Sequence, residues 1–297
     1  MTKRSVLIQL DTDQQPSSFD AIVAVDAGVD VQLRHGNVSL EDVRDLVYGA
    51  MFTRSPDDLK NTAIFVGGSD VSAGERIFEN VGKTFFGPLR VSAMLDSNGA
   101  NTTAAAAVLA VLKHVPIDGH DEITVTVLGA TGPVGSRVAL LLAGLGYRVC
   151  MASRKLDRAS EAAARIRQRL RDANLEAVQA GNEQEISQTL EGASVLVSAG
   201  AIGAQLANQA TWSQAAGIQL AIDLNAAAPG GLEGIDPQDK AQDRNGMTCY
   251  GALGIGGVKM KIHKACLKRL FERNDLLLDA EQILAVGREL VAQGLNV

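Results

Sequence analysis

Cysteine is scarce in this chain, and its placement excludes two chemistries. Cys150, Cys249 and Cys266 are odd in number, far apart and set in apolar segments, so they are expected to be reduced core residues and not a disulfide framework. The four histidines, His35, His114, His120 and His263, share no ligand spacing with one another or with cysteine, and no metal is expected. Aromatic residues make up only 4%, too few for base-stacking platforms. Basic tracts are missing as well: 28 Lys and Arg stand against 34 Asp and Glu, a net charge of −6, which argues against a nucleic-acid partner. No apolar run reaches the roughly 18 to 20 residues of a membrane span. The start, MTKRSVLIQLDTD, is too short in its apolar part and too quickly acidic for a secretory signal. A cytoplasmic protein without a membrane partner is the expectation.

What is present is a globular composition, 46% hydrophobic and 21% charged, over 297 residues, enough for two domains each with its own core. One stretch organises the rest: Glu122 to Lys155, EITVTVLGATGPVGSRVALLLAGLGYRVCMASRK, a strand, a glycine-rich turn, a helix and a second strand. Ile123 to Leu128 is apolar and β-branched, as in a buried parallel strand. Gly129, Gly132 and Gly135 then give G-x-x-G-x-x-G, a variant of the dinucleotide fingerprint. Such glycines serve a tight turn, approach to a pyrophosphate, and close helix–sheet packing. Pro133 suits a first helical turn, where the free N–H groups face phosphate. Gly129, Thr131, Gly132, Pro133 and Val134 are therefore candidate cofactor contacts, in a Rossmann-type half-fold. A glycine turn can also serve packing alone, and the bracketing strand and helix are what favour a nucleotide.

The residues after the second strand select the cofactor. An NAD site usually carries an acidic residue there for the ribose hydroxyls, whereas a 2′-phosphate calls for basic groups. Ser153, Arg154 and Lys155 supply two cations and no carboxylate, so NADP is the expected cofactor. The competing reading is two solvated basic side chains before a helix.

Ahead of this stretch, strands are expected at Ser5–Leu10, Val31–Leu33, Thr62–Val66 and Arg90–Leu95. Helices alternate with them. One starts at Pro16–Ser18 with Phe19, Ile22, Val23 and Ala27 inward; a second is capped by Ser39 and Asp42; a third spans about Val71 to Phe85. This alternation indicates an α/β domain with a mainly parallel sheet. Polar residues gather where strands end, at Asp11–Gln15, Ser69–Asp70 and Asp96–Gly99, the end at which open sheets bind ligands. An alanine-rich helix, Ala104 to Val115, leads to a linker at Pro116–Asp121.

Beyond Lys155, Asp157 to Leu175 reads as one charged helix, and Ser194–Ser198 as a buried strand closed by the small residues Ala199, Gly200, Ala201, Ile202 and Gly203. Ser198 to Ile202 are candidates to lie against a nicotinamide ribose. A strand at Gln219–Leu224 runs into Asn225, a further cofactor candidate, and a Pro229-Gly230-Gly231 turn. The run Gly251 to Gly257 calls for close backbone approach or a sharp turn. Helices at about Val258–Phe271 and Asp279–Gln293 end the chain. The expected domains are 1–118, 119–257 and a helical tail, 258–297, returning to the first.

Several separated segments match one family: QLDTDQQPSSFD, IFVGGSDVSAGER, FFGP, DSNGANTTAAA, TGPVG, SRKLD, SAGAIG, DLNA and GALGIGGVKMKIHKAC. On these the chain resembles the NADP-dependent methylene-tetrahydromethanopterin dehydrogenases of methylotrophic bacteria, over nearly its whole length. One departure is Gly129-Ala130, which reverses the family's usual Ala-Gly order. The resemblance implies an N-terminal α/β pterin-binding domain and a C-terminal Rossmann-type NADP-binding domain with a cleft between them. It also implies a homo-oligomer such as a trimer, and methylene-tetrahydromethanopterin, with methylene-tetrahydrofolate as a second candidate, as the reduced pterin substrate. Asp20, Asp96, Asn98, Thr102 and Lys259 are its candidates for the pterin side, with Lys259 and Asp20 orienting the reacting ring.

Hydride loss from a carbon between two nitrogens leaves a cation that those nitrogens stabilise, and no proton moves, so no general base is required. Related folate enzymes that also hydrolyse the methenyl product carry a lysine four residues after a tyrosine. Here Tyr48 is followed at that distance by Phe52, and cyclohydrolase activity is not expected. The alternatives are a folate-specific dehydrogenase and a non-enzymatic NADPH-binding regulatory protein.

Overall fold

The computed structural model describes residues 3–117 and 123–297. Most of the expected linker and His120 lie outside them. In chain order the elements are β1 (Val6–Asp11), α1 (Ser18–Asp26), β2 (Val31–His35), α2 (Leu40–Met51), β3 (Thr62–Gly67), α3 (Val71–Thr84), β4 (Ser92–Leu95), α4 (Ala100–His114), β5 (Thr124–Leu128), α5 (Pro133–Gly144) and β6 (Arg148–Ser153). There follow α6 (Leu156–Arg169), β7 (Leu175–Gln179), α7 (Glu183–Thr189), β8 (Val195–Ser198), α8 (Gln209–Ser213), β9 (Leu220–Asp223), β10 (Gln242–Arg244), β11 (Met247–Tyr250), α9 (Ala252–Arg269), β12 (Leu277–Leu278) and α10 (Ala280–Ala292). They form two compact units, residues 1–102 with 260–290, and residues 103–259 with 291–297.

The first unit holds a five-stranded sheet in the order β12-β4-β3-β1-β2, parallel throughout. β2 and β3 flank β1 on opposite sides, so the strand order reverses between β1 and β3, where an open α/β sheet leaves a crevice at its carboxyl edge. Its core joins Leu10, Ile64, Val66 and Leu95 of the strands to Val43, Val47 and Met51 of α2 and Ile77 and Val81 of α3. Helix α2 starts on the expected capping box, with Asp42 accepting from the Ser39 N–H at 2.8 Å. In α1 the inward stripe differs from the expectation: Val23, Ala24 and Ala27 are buried, whereas Phe19 and Ile22 are 51% and 63% exposed. The helix starts where expected, with Ser17 as its cap, and Val23 and Ala27 of the expected stripe are the members that are buried.

The second unit holds seven strands in the order β10-β11-β9-β8-β5-β6-β7, all parallel except the β10–β11 pair. β5 sits at the reversal, with β6 and β7 on one side and β8, β9 and β11 on the other. Two expectations are corrected here. The helix drawn from Asp157 to Leu175 stops at Arg169, and Leu175 opens the edge strand β7. The helix expected from about Val258 starts at Ala252, so the glycine run after Gly251 lies within α9. Close approach does explain two of its glycines, since a Cβ on Gly251 or Gly254 would collide with the carbonyls of Asp236 and Asp239. The three cysteines are buried and unpaired, and burial pushes the Cys150 and Cys249 thiols up to about 11.

Candidate functional site

In the second unit the strand β5 delivers the chain to a tight turn at the switch point. Gly129 sits at φ 74°, and a Cβ there would lie 2.8 Å from the Ala199 carbonyl oxygen. A side chain at Gly135 would meet the Gly129 carbonyl at 2.5 Å, so α5 can approach β5 only with glycine at that position. Ala130, the residue of the reversed pair, is buried and donates to the Ala152 carbonyl at 3.1 Å, so the turn needs a small residue there too. Gly132 caps α5 and Pro133 is its first residue. The first-turn N–H groups of this helix have no carbonyl partners within it, and they carry the positive end of the helix dipole. This is an anion cradle.

Next to the turn lies a cavity of about 670 Å³. Of the residues expected at the cofactor, Gly129, Thr131, Gly132, Ser153, Arg154, Lys155, Ala199, Gly200 and Ala201 line it. Pro133, Val134, Ser198, Ile202 and Asn225 do not. Ser198 is fully buried at the end of β8, and Ile202 is 87% exposed. Asn225 is buried, with its amide turned onto Ala201 and Gly203. The lining also includes Arg158, which the sequence reading overlooked. The signal was available: with α6 starting at Leu156, Arg158 stands in its first turn, one helical turn from Arg154.

The polar rim of the first unit is built around two aspartates. Asp11, at the end of β1, is paired in register with Gly67 at the end of β3, across the switch point. Its buried carboxylate accepts from Gln9 Nε2 at 3.0 Å and from the N–H groups of Asp13 and Ser17 at 2.9 and 3.0 Å. Asp13 in turn accepts from Ser69 N–H and Oγ at 3.0 and 2.7 Å, fastening the loop after β1 to the loop after β3. Asp20, half-buried in the first turn of α1, brings its carboxylate within 3.7 Å of where a Cβ on Gly67 would stand.

Asp96, at the end of β4, is buried and accepts from Thr102 N–H at 3.0 Å and Thr102 Oγ1 at 2.7 Å. His263 Nδ1, on α9, lies 3.8 Å from the same carboxylate, and its ring stacks on Phe65 with centroids 5.7 Å apart. Asn98 is exposed, held at φ 54° with its N–H on the Gly68 carbonyl at 2.8 Å. The four first-unit candidates thus share the carboxyl edge of one sheet, with Asn98 exposed, Asp20 half-buried and Asp96 and Thr102 fully buried. Asp96 and Thr102 bond each other and shape the corner. Lys259 is half-buried on α9, in the second unit. Among the described residues, no group of three His, Cys, Asp or Glu could hold a metal, and no helix is long and apolar enough to cross a membrane.

A parallel sheet reversing at a glycine turn that opens a helix is the dinucleotide-binding arrangement, and the class of the protein is a two-unit α/β protein with one Rossmann-type unit. The fold is shared with quinate dehydrogenase from Corynebacterium glutamicum in complex with NAD, at a TM-score of 0.53 and 12% identity over 98% of this chain and 100% of that one. Residues 18–98 match the family described as methylene-tetrahydromethanopterin dehydrogenase, N-terminal. The bifunctional protein MdtA of Methylorubrum extorquens is 44% identical over 97% of this chain and 99% of its own. The NAD(P)-dependent methylenetetrahydromethanopterin dehydrogenase of the same organism is 26% identical over 97% and 99%. The chain belongs to the methylene-tetrahydromethanopterin dehydrogenase family.

Proposed function

We propose that the protein oxidises methylene-tetrahydromethanopterin with NADP+, taking a hydride from the methylene carbon and releasing the methenyl cation. The observation that carries this reading is the family membership joined to a glycine cradle whose cavity is rimmed by Arg154, Lys155 and Arg158. The cradle fits a pyrophosphate, because Gly129 and Gly135 leave no room for side chains and the start of α5 presents free N–H groups. When bound, the oxidised nicotinamide supplies the hydride acceptor. The chain's own work is to hold and exclude. Arg154, Lys155 and Arg158 grip the 2′-phosphate, and the small residues Ala199 to Ala201 give a flat backbone wall. Asp20 and Asn98 face the pterin, and the Asp20 carboxylate favours the cationic product by charge. Lys259 orients the pterin by gripping a carbonyl oxygen. The hydride leaves with its electron pair and the two flanking nitrogens share the resulting charge, so no side chain moves a proton.

We take the protein to work in the cytoplasm as a homo-oligomer, for which a mass measurement in solution is the check. The activity is tested by crossing methylene-tetrahydromethanopterin and methylene-tetrahydrofolate with NADP+ and NAD+ and following reduced nicotinamide by absorbance. The folate arm is included because methylene-tetrahydrofolate is the second reduced pterin that the sequence resemblance implies. Highest kcat/KM for the methanopterin with NADP+ is expected. Failure of both pterins to reduce either nucleotide would leave an NADPH-binding regulatory protein as the better account.

A further inference from the structure

The wall of the cofactor cavity opposite the cations is a loop with little internal bonding. It runs from Ala199 to Leu206, and Ala199, Gly200, Ala201, Ala204, Gln205 and Leu206 line the cavity. Most of its residues are small, and apart from Leu206, which packs on the core of this unit, its shape is set by backbone bonds from outside the loop.

A second loop imposes it. Asn225, 4% exposed, donates from Nδ2 to the Ala201 carbonyl at 3.1 Å and accepts at Oδ1 from the N–H groups of Gly203 and Ala227 at 3.3 and 3.2 Å. Farther along, the Gly231 carbonyl accepts from Leu206 and Ala207 N–H at 2.8 and 3.1 Å. The wall is therefore pinned at both ends by residues 225–231. Those residues are fixed in turn by Asp223, 2% exposed at the end of β9, which accepts from Asn225 N–H at 3.2 Å and Leu232 N–H at 3.1 Å. The backbone closes over this carboxylate so tightly that a Cβ on Gly231 would stand 2.7 Å from Oδ1.

We propose that Asn225 and Asp223 are positioning residues: they set the wall against which the nicotinamide half of the cofactor lies, without touching it. The proposal rests on the cofactor reading above. It assigns Asn225 a different part from the direct contact that its place in the sequence suggested. The half of the cofactor concerned follows from topology. β8 and β9 belong to the second mononucleotide half of the sheet, whereas Arg154, Lys155 and Arg158 follow β6 in the first, where the adenosine and its 2′-phosphate lie.

The two halves can be separated with a ligand that has only one of them. Calorimetric titration of wild type, Asn225→Ala and Asp223→Asn with NADP+ and with adenosine 2′,5′-bisphosphate tests the assignment. For Asn225→Ala, NADP+ should weaken by about tenfold, the scale of one or two neutral hydrogen bonds. The bisphosphate should bind within about twofold of wild type, because the cation rim is untouched. Asp223→Asn keeps the shape of the side chain but sets an amide N–H against a backbone N–H, and it should show the same selective loss if Asn225→Ala proves unstable. In turnover, KM for NADP+ should rise while KM for the pterin holds. Equal weakening of both ligands, or no weakening of either, would overturn the proposal. Wild type that binds neither ligand would overturn the cofactor reading itself, a different failure.

Discussion

Arg154, Lys155 and Arg158 crowd the N-terminal end of α6, whose first turn holds only one acidic residue, Asp157. A helix N-terminus favours anions, so three cations there are disfavoured until an anion arrives. None of the three has an ion-pair partner among the described residues, which leaves their charge available to a bound phosphate. Replacing Arg154 and Lys155 together by neutral residues should weaken NADP+ by about tenfold to a hundredfold for each charge-assisted hydrogen bond removed, with little change for NAD+. Arg158→Ala alone should move the NADP+ to NAD+ ratio in the same direction by about tenfold. Equal losses for both nucleotides would refute the phosphate assignment. At this scale the sequence is legible as far as local chemistry reaches. Glycines with a positional job and basic residues after a strand are visible in one dimension. The bond between Asp96 and Thr102 is not, because Asp96 follows β4 and Thr102 lies in α4, so no single period relates them and only the turn between the two elements brings them together. Nor is the burial of Asn225, which depends on a loop 22 residues earlier in the chain.

Elements with a long period are legible in the sequence, and those without one are lost. β1, β3, β5 and β8 are rich in apolar and β-branched residues, and α2, α3 and α5 carry inner stripes. Strand β7 merges with the preceding helix because alternation over LEAVQ is too short to outweigh the charged helical pattern before it. β12 is two residues long and has no pattern to read, yet it closes the first sheet against β4. In α9 the local signal points the wrong way. Glycine disfavours helix by about 1 kcal/mol per residue, but at Gly254 backbone packing against the Asp239 carbonyl requires it. One contact between elements carries a pH dependence. His114, in the last turn of α4, meets the Tyr250 hydroxyl at the end of β11 at 2.8 Å. Burial, and then the neighbouring Lys113, hold its pKa below the ordinary 6.5. The unfolded chain therefore takes up this proton first, so stability contributed by neutral His114 is present above pH 6.5 and is lost as pH falls through the lower folded value. On acidification from neutrality, the wild-type melting temperature should fall more than that of His114→Gln. Parallel curves for the two proteins would show that the pair does not titrate in this way.

At the scale of the whole molecule the chain carries two sheets, each with a strand-order reversal, and the chemistry at the two carboxyl edges is unlike. One edge has a glycine cradle and cations, suited to phosphate. The other has Asp11, Asp13 and Asp20, an acidic edge. This division of charge fits a reaction in which a phosphorylated acceptor takes a hydride and the donor becomes a cation. The consequence is kinetic. Mixing enzyme in excess with methylene-tetrahydromethanopterin and NADP+, and following the first turnover, isolates the hydride step from product release. Its rate should be nearly flat across neutrality, because no group needs to exchange a proton between substrate and chain. The Asp20→Asn variant should turn over more slowly at neutral pH, because the charge that favours the cationic product is gone. A steep titration near pH 6 to 8 in the wild-type first turnover would require a general base and would contradict a mechanism made of positioning and charge.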